Sequence, residues 1–214
     1  MKNFIDKKIF DYALSKSSDE PEILKELNRE THLKILNPRM LSGNYQGRIL
    51  SLISKIIRPR SILEIGTYTG YSTICFAEGL RDDGFIHTID HNEELIYIQN
   101  KYFKKAGISK KVIQYLGDAT KIIKKLNYEF DLVFLDADKE NYPVYFDLII
   151  DKVKSGGIII ADNILWSGKI LNKVEDDDLA TKSILEFNEK MNSDKRVETL
   201  ILPVRDGLSF IRKI

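Results

Sequence analysis

Apolar and polar residues alternate with a helical period in the first part of the chain. Between residues 1 and 57 the apolar positions recur every three or four residues, which predicts amphipathic helices. The stripe of the first helix consists of Phe4, Ile5, Ile9, Tyr12 and Ala13. A second helix is expected from a cap at Ser18 or Asp19 to about Leu36, and a third from about Gln46 to Ile57.

From Ser61 onward, short continuous apolar runs are separated by helical stretches. The runs are ILEIG, FIHTID, VIQYLGD, FDLVFLDAD and GIIIADN. Strands covered by helices on both faces have this continuous apolar character, so we expect a Rossmann-like, doubly wound, mostly parallel α/β sheet. The tail RVETLILPVRDGLSFIRKI adds an antiparallel C-terminal strand pair around a turn at Asp206-Gly207, which makes seven strands.

Length and composition predict one globular domain. The 214 residues fit a single α/β domain, with N-terminal helices over 1–57 and a ligand-binding core over 61–214. Thirty-three basic and thirty-two acidic residues leave a net charge of +1, which gives no support for a nucleic-acid partner.

Cysteine usage and hydropathy predict where the protein works. The single Cys75 cannot form an intramolecular disulfide, which favours a reducing compartment. The N-terminal residues lack the apolar core of a signal peptide, and no apolar run approaches the ~20 residues that span a bilayer. We therefore expect a cytoplasmic protein without a membrane partner.

The junction of the first strand and its helix carries the sequence ILEIGTYTGYS. Gly66 and Gly70 allow a sharp turn in front of a helix N-terminus, where free N–H groups face a ligand. The pattern is E-x-G-x-x-x-G, which differs from the dinucleotide fingerprint G-x-G-x-x-G. Asp90 ends the second strand and is suited to bind two ribose hydroxyls, while Asp118 can reach an adenine amino group. Together these residues predict a site for a nucleoside cofactor.

Polar side chains also end two later strands. LDADKENY, residues 135–142, closes one apolar run, and Asp162-Asn163 closes the next. Because parallel strands end at the same edge of a sheet, Asp136, Asp162 and Asn163 are expected to converge and to offer only oxygen ligands, which suits Mg²⁺. The alternative for Asp136 and Lys139 is an exposed ion pair that caps a helix.

These motifs together resemble the metal-dependent, S-adenosylmethionine-dependent O-methyltransferases of the catechol and caffeoyl-CoA type, and within them the small bacterial members. The resemblance covers about residues 37–214 and rests on ExGxxxG, the strand-end acid, LDADKENY, ADNILWSGKI and LPVRDGLSFIRKI. It implies methyl transfer from S-adenosylmethionine to a hydroxyl of a vicinal dihydroxy aromatic molecule. It also implies a homodimer.

The resemblance gives the motif residues roles. It implies that Asp136, Asp162 and Asn163 bind a divalent metal and that Lys139 is the general base. The residues implied to bind the cofactor are Met40, Glu64, Gly66, Tyr68, Tyr71, Ser72, Asp90, Asp118, Ala119 and Asp136. Trp166 is a candidate wall for the acceptor ring. Arg205 departs from the small residue expected in the plant enzymes, which leaves a CoA-linked acceptor open.

Two other functions share part of this pattern. An NAD-dependent dehydrogenase would use the same sheet and ribose acid, but this chain lacks G-x-G-x-x-G and has an Asp-Asp-Asn set that such an enzyme does not require. A non-catalytic binding or dimerisation module could also retain the fold. The crowded Asp136, Lys139, Asp162 and Asn163 count against that reading.

Overall fold

The computed structural model describes residues 5–214, so Phe4 of the predicted first stripe lies outside the described residues. The α-helices of the described part are α1 (Lys7–Ser15), α2 (Glu22–Lys34), α3 (Gly43–Ile57), α4 (Tyr71–Ala77), α5 (Ile96–Lys105), α6 (Ala119–Lys125), α7 (Tyr142–Ile149) and α8 (Leu179–Ser193). The structure differs from expectation at two helix starts and at the start of the fifth strand, which begins at Val153 instead of the predicted Gly157.

The start of α2 corrects the predicted cap. The helix begins at Glu22 with Pro21 as its N-cap, and no side chain of residues 5–214 caps it, so the prediction of Ser18 or Asp19 was wrong. Proline suits a helix start because its ring fixes φ and the missing N–H needs no partner there. Helix α3 begins at Gly43, three residues before the expected Gln46.

The strands follow the predicted apolar runs closely. They are β1 (Ser61–Ile65), β2 (Phe85–Asp90), β3 (Val112–Leu116), β4 (Phe130–Leu135), β5 (Val153–Asp162), β6 (Val197–Leu202) and β7 (Leu208–Lys213). They form one sheet in the order β3-β2-β1-β4-β5-β7-β6. Strand β7 pairs antiparallel with both β5 and β6. The predicted Rossmann-like fold class is confirmed.

The chain divides into two compact units, and residues 11–119 form the first. Here β2 pairs parallel with β1 and β3. Helix α3 lies very close to α4, because a Cβ on Gly79 would come within 2.1 Å of the Ser54 backbone. Arg48 and Lys55 of α3 add ion pairs to Glu78, with Nη2 and Nζ at 2.5 and 2.7 Å from its carboxylate oxygens. These contacts fix the helix that follows the glycine turn.

The second unit consists of residues 120–214 together with residues 5–10 of the described chain. Strands β4 and β5 pair in parallel. The Phe187 ring of α8 meets Tyr142 and Phe146 edge to face, with centroids 5.4 and 6.1 Å apart, which packs α7 against α8. Asp178 accepts a hydrogen bond from the Thr181 N–H at 3.1 Å, which caps the start of α8.

Some expectations about the whole protein stay predictions. These are the single-domain organisation, the homodimer and the cytoplasmic location. Within residues 5–214 no helix has both the length and the apolar character needed to cross a membrane. Cys75 is a free, buried cysteine, and its burial raises the pKa of the thiol well above its ordinary value.

Candidate active site

The turn after β1 is built on left-handed backbone. Gly66, Tyr68 and Gly70 have φ values of 100°, 49° and 87°. A Cβ on Gly70 would come within 2.6 Å of the Phe103 ring, so glycine is required there both by its φ and by the close approach. The turn leads directly into α4, which begins at Tyr71.

Tyr68 connects the turn to its surroundings through backbone and side chain. Its N–H donates to Asp90 Oδ2 at 2.7 Å, and its carbonyl accepts from Gln99 Nε2 at 2.7 Å. The Tyr68 hydroxyl donates to the carbonyl of Leu36 at 3.1 Å. Asp90 Oδ1 also accepts from the Asn92 N–H at 2.9 Å. The predicted ribose acid is therefore held in a fixed orientation at the end of β2.

Glu64 supports the turn from inside the protein. Its side chain is fully buried, and one carboxylate oxygen accepts hydrogen bonds from the hydroxyls of Thr73 and Thr88. Thr73 belongs to α4 and Thr88 to β2. The structure thus gives Glu64 a role in joining β1, β2 and α4, while its predicted contact with a cofactor stays a prediction.

Two further residues predicted to bind the cofactor lie in the first turns of α4. Tyr71 is only 2% exposed. Its hydroxyl donates to the Glu20 carboxylate. Its ring packs closely against Gly47, since a Cβ added to that glycine would lie 2.6 Å from the ring. Ser72 is buried beside it. For Tyr71 the geometry indicates packing between helices, with its hydroxyl already engaged.

Three other predicted cofactor residues have accessible positions. Met40 ends a short 3-10 helix and is 59% exposed. Asp118 is exposed and Ala119 begins α6. The preceding Gly117 donates its N–H to the Asp90 carbonyl at 2.8 Å, which ties the end of β3 to the end of β2. This link brings Asp118 and Asp90 to the same edge of the sheet.

A cleft in this unit includes Asp90. The residues lining it are Thr67, Thr88, Asp90, Asn92, Ile96, Gln99, Gln114, Tyr115 and Leu116. Gln114 donates to Gln99 Oε1 at 2.7 Å, so a chain of amides leads from β3 to the Tyr68 carbonyl. The sequence analysis missed both glutamines. A buried glutamine among the apolar positions of α5 was the available signal.

In the other unit, the ends of β4 and β5 place two carboxylates side by side. Leu135 and Ala161 are register partners in these parallel strands. Asp136 follows Leu135 in the chain, and Asp162 follows Ala161. Neighbouring strands lie about 4.8 Å apart. The two carboxylates therefore leave one edge of the sheet at adjacent points, as the sequence predicts.

Lys139 lies against this pair of strand ends and is largely buried. Its ammonium donates to Asp136 Oδ1 at 3.0 Å and to the Tyr142 hydroxyl at 2.6 Å. The Lys139 side chain is only 9% exposed, and that of Asp136 is 21% exposed. The alternative of an exposed surface pair does not fit this burial, since such pairs are solvated on most sides.

Tyr142, which the sequence analysis missed, joins the two strand ends. Its fully buried hydroxyl lies 3.1 Å from the Leu135 carbonyl and 3.0 Å from the Asp162 carbonyl, both of which accept. Burial, followed by the charges of the nearby aspartates, raises the pKa of Tyr142 well above its ordinary value. The hydroxyl therefore keeps its proton and remains a donor to the backbone while it accepts from Lys139.

Asp162 and Asn163 complete the predicted ligand set. Asp162 is 4% exposed, and its Oδ1 accepts from the Asn163 N–H at 2.7 Å. Asn163 has a left-handed φ of 63°, which asparagine tolerates better than most residues. Residues 5–214 contain no cluster of three or more His, Cys, Asp or Glu that could hold a metal, and this set has two carboxylates and one amide. Its oxygen-only chemistry fits Mg²⁺ or another hard dication.

Asp138 does not belong to that set. The exposed Asp138 accepts from the Tyr145 hydroxyl at 2.6 Å and from the Asn141 amide. These bonds hold the turn that carries Lys139. Glu140 is exposed. Asp138 therefore stabilises the turn, and Glu140 is a side chain exposed to solvent.

The loop of residues 163–168 carries the chain's one tryptophan. The indole Nε1 of Trp166 is buried and has no hydrogen-bond partner within residues 5–214. The loop is held by the β6–β7 turn, because Asp206 accepts through Oδ1 from the Ser167 N–H and through its carbonyl from the Leu165 N–H at 2.9 Å. Burial raises the pKa of Asp206.

The sheet order and the acid at the end of β2 define a Rossmann-like nucleoside-cofactor enzyme, the class that includes the methyltransferases. A family model described as O-methyltransferase matches residues 14–214. Since this match covers most of the chain, the chain belongs to the O-methyltransferase family.

Individual proteins agree with this assignment. Caffeoyl-CoA O-methyltransferase 5 of Nicotiana tabacum is 35% identical over 96% of this chain and 91% of its own. A methyltransferase of Podospora anserina, solved with S-adenosylhomocysteine, is 30% identical with a TM-score of 0.88 and covers 97% and 94% of the two chains. The O-methyltransferase of tomaymycin synthesis from Streptomyces achromogenes, solved with S-adenosylmethionine, is 26% identical, with a TM-score of 0.88 and 96% of each chain covered.

These findings confirm the predicted class, an S-adenosylmethionine-dependent O-methyltransferase. The dehydrogenase and the non-catalytic module gain no support from them. The metal requirement, the lysine base, the catechol-like acceptor and the small bacterial branch stay predictions, and so do the roles of the individual site residues.

Proposed function

We propose that this O-methyltransferase methylates one hydroxyl of a vicinal dihydroxy aromatic molecule, with the methyl group taken from S-adenosylmethionine. The observation that carries the proposal is the placement of Asp136, Asp162 and the buried Lys139 at the joined ends of β4 and β5. Buried charges are costly unless they are paired or bind a ligand, and an edge with these carboxylate oxygens suits a bound cation.

A divalent cation is the natural ligand of these strand-end oxygens. Asp136, Asp162 and Asn163 would hold it. When bound, it would stabilise the negative charge on a phenolic oxygen that loses its proton. Two adjacent hydroxyls of an acceptor match such a site better than one, because both can be oriented at once.

Lys139 takes the proton from the acceptor hydroxyl in its neutral amine form, so its ammonium first has to give up one proton to solvent. Its hydrogen bonds to Asp136 and Tyr142 fix the nitrogen at the strand ends, so its reach does not depend on a flexible exposed side chain. The oxygen then attacks the methyl carbon of the sulfonium, the C–S bond breaks, and S-adenosylhomocysteine leaves with the bonding electrons. The proton stays on the lysine until it passes to solvent.

Asp90 is proposed to bind the two ribose hydroxyls of the methyl donor. We expect Asp90→Ala to weaken S-adenosylhomocysteine binding by about 10–100-fold, since a hydrogen bond to a charged group contributes about 1.5–3 kcal/mol. Isothermal titration calorimetry measures this directly. The control is Asp83→Ala, which removes an exposed carboxylate paired with Arg60 in the same unit and should leave the affinity unchanged. Equal affinity of Asp90→Ala and wild type would remove Asp90 from the site.

The acceptor class is tested with matched pairs of phenols. We expect mass spectrometry to show one added methyl group on catechol, caffeate and caffeoyl-CoA, and none on the corresponding monohydroxy compounds. Caffeoyl-CoA is included because the tobacco relative is named for it. Equal methylation of the monohydroxy phenols would contradict a site built for two adjacent hydroxyls. Binding of NAD in place of S-adenosylhomocysteine would contradict the methyl donor.

A further inference from the structure

We propose that Asp206 is a positioning residue that holds the 163–168 loop in a strained backbone and thereby sets the wall of the acceptor site. The inference rests on the proposed function in one respect, because it places the phenolic ring beside Trp166. Its structural part, that Asp206 fixes the loop, is independent of the substrate.

The loop contains an unusual run of left-handed residues. Trp166, Ser167 and Gly168 have φ values of 46°, 55° and 83°, and Asn163 at the start of the loop has 63°. Only glycine adopts such φ values without cost, and asparagine tolerates them better than tryptophan or serine does. Non-glycine residues stay in this region when surrounding contacts determine the backbone, and they cluster at functional sites.

Those contacts come from the turn between β6 and β7. The Asp206 carboxylate, only 4% exposed, accepts from the Ser167 N–H in the middle of the left-handed run. The backbone of the same turn adds two bonds, from the Leu165 N–H to the Asp206 carbonyl at 2.9 Å and from the Ile164 N–H to the Gly207 carbonyl at 3.3 Å. A Cβ on Gly207 would come within 2.9 Å of the Leu165 nitrogen. Turn and loop are thus fitted to each other.

A carboxylate is well suited to this position. A backbone N–H that donates to a charged acceptor forms a stronger bond than one that donates to a neutral acceptor, which can offset the cost of the left-handed backbone at Ser167. The loop follows directly after Asp162-Asn163, so its conformation sets both the Asn163 backbone and the position of the Trp166 ring.

The one tryptophan of the chain provides a readout that needs no substrate. In Asp206→Ala we expect Trp166 emission to shift to the red and acrylamide to quench it more strongly, because the indole Nε1, which is buried in the wild-type protein, becomes accessible. The KM for the phenolic acceptor should rise by about tenfold, the ratio that corresponds to one lost hydrogen bond to a charged group. Affinity for S-adenosylhomocysteine should stay within about twofold of wild type, since the hydrogen bonds of Asp206 go to the 163–168 loop.

Three further variants separate this role from a general effect on folding. Asp206→Asn keeps an oxygen acceptor for Ser167 but loses the charge, so its emission shift and its rise in KM should be smaller than those of Asp206→Ala. Asp194→Ala removes another carboxylate that accepts a backbone N–H, that of Arg196 at 2.8 Å, and should leave Trp166 emission unchanged. Ser167→Gly in the Asp206→Ala background should restore part of the emission and KM, because glycine needs no help to adopt a positive φ.

Wild-type emission and KM in Asp206→Ala would overturn the inference. So would equal losses in Asp206→Asn and Asp206→Ala, which would show that the acceptor oxygen for the Ser167 N–H contributes nothing. An absent rescue by Ser167→Gly would also overturn it, because it would point to general destabilisation. If the wild-type protein methylates none of the phenols, the proposed function fails, while the emission of the four variants still decides whether Asp206 holds the loop.

Discussion

Replacing Lys139 with methionine is expected to lower kcat for methyl transfer by about 10²–10⁴-fold, the range that general acid–base catalysis contributes. Methionine matches the length of the lysine stem but cannot take a proton. The affinity for S-adenosylhomocysteine should not change, because the proposed role of Lys139 is to take a proton and not to bind the methyl donor. Single-turnover kinetics with a saturating phenolic acceptor, combined with calorimetry, separates these two quantities.

A second substitution distinguishes a base from a fixed positive charge. Lys139→Arg keeps a cation that can donate to Asp136 and Tyr142, but a guanidinium does not lose its proton in proteins. We therefore expect it to be as slow as Lys139→Met. The matched control is Lys154→Met. Lys154 lies on β5, and its Nζ is 2.7 Å from Asp131 Oδ1. This variant should keep the wild-type kcat. A fast Lys139→Arg enzyme would show that charge is sufficient and would refute the proton transfer.

The fold could be predicted from sequence wherever one physical rule dominates. Parallel strands buried on both faces need continuous apolar residues, so FIHTID predicted the bounds of β2 (Phe85–Asp90) without error. Helix starts were harder, because several residues near Pro21 can begin a helix and local hydrogen bonds decide among them. The acidic start of α8 was predictable, since Asp178 offers its carboxylate three residues before Thr181.

The site was predictable in its strand-end residues, because parallel strands bring their ends together whatever the loops do. What the sequence could not show are the partners that hold those residues. The Tyr142 hydroxyl reaches the Asp162 carbonyl twenty residues along the chain, and Asp206 reaches the Ser167 N–H across thirty-nine. Such contacts depend on how separate loops fold against each other, and neither has a local pattern.

Glu64 and Tyr71 show the limit of a motif, and their contacts with the cofactor stay predictions. Glu64 and Tyr71 were grouped with the cofactor residues because they stand in the glycine-turn motif, but both are buried and hydrogen-bonded to protein groups. A motif shows which residues occur together. It does not separate those that contact a ligand from those that hold the turn.

Asp162→Asn is expected to lower the affinity for a divalent cation by at least about 100-fold, because loss of an outer-shell partner alone costs about 10–100-fold. The amide still accepts from the Asn163 N–H, as Asp162 Oδ1 does at 2.7 Å, so the strand end should keep its shape. Binding of Mn²⁺, followed through the electron paramagnetic resonance signal of the free ion, measures the affinity without any methyl acceptor. Chelator should stop methyl transfer by the wild-type enzyme, and added Mg²⁺ should restore it.

The control for this substitution is Asp147→Asn, which removes an exposed carboxylate of α7 paired with Lys190 and should leave Mn²⁺ binding unchanged. A protein that transfers methyl groups at full rate in excess chelator would refute the metal requirement. Wild-type Mn²⁺ affinity in Asp162→Asn, together with normal chelator sensitivity, would instead show that a cation is used but that Asp162 does not bind it. In that case the buried carboxylate at the end of β5 would serve only to fix the backbone at Asn163, and the ligand set would have to be sought around Asp136 alone.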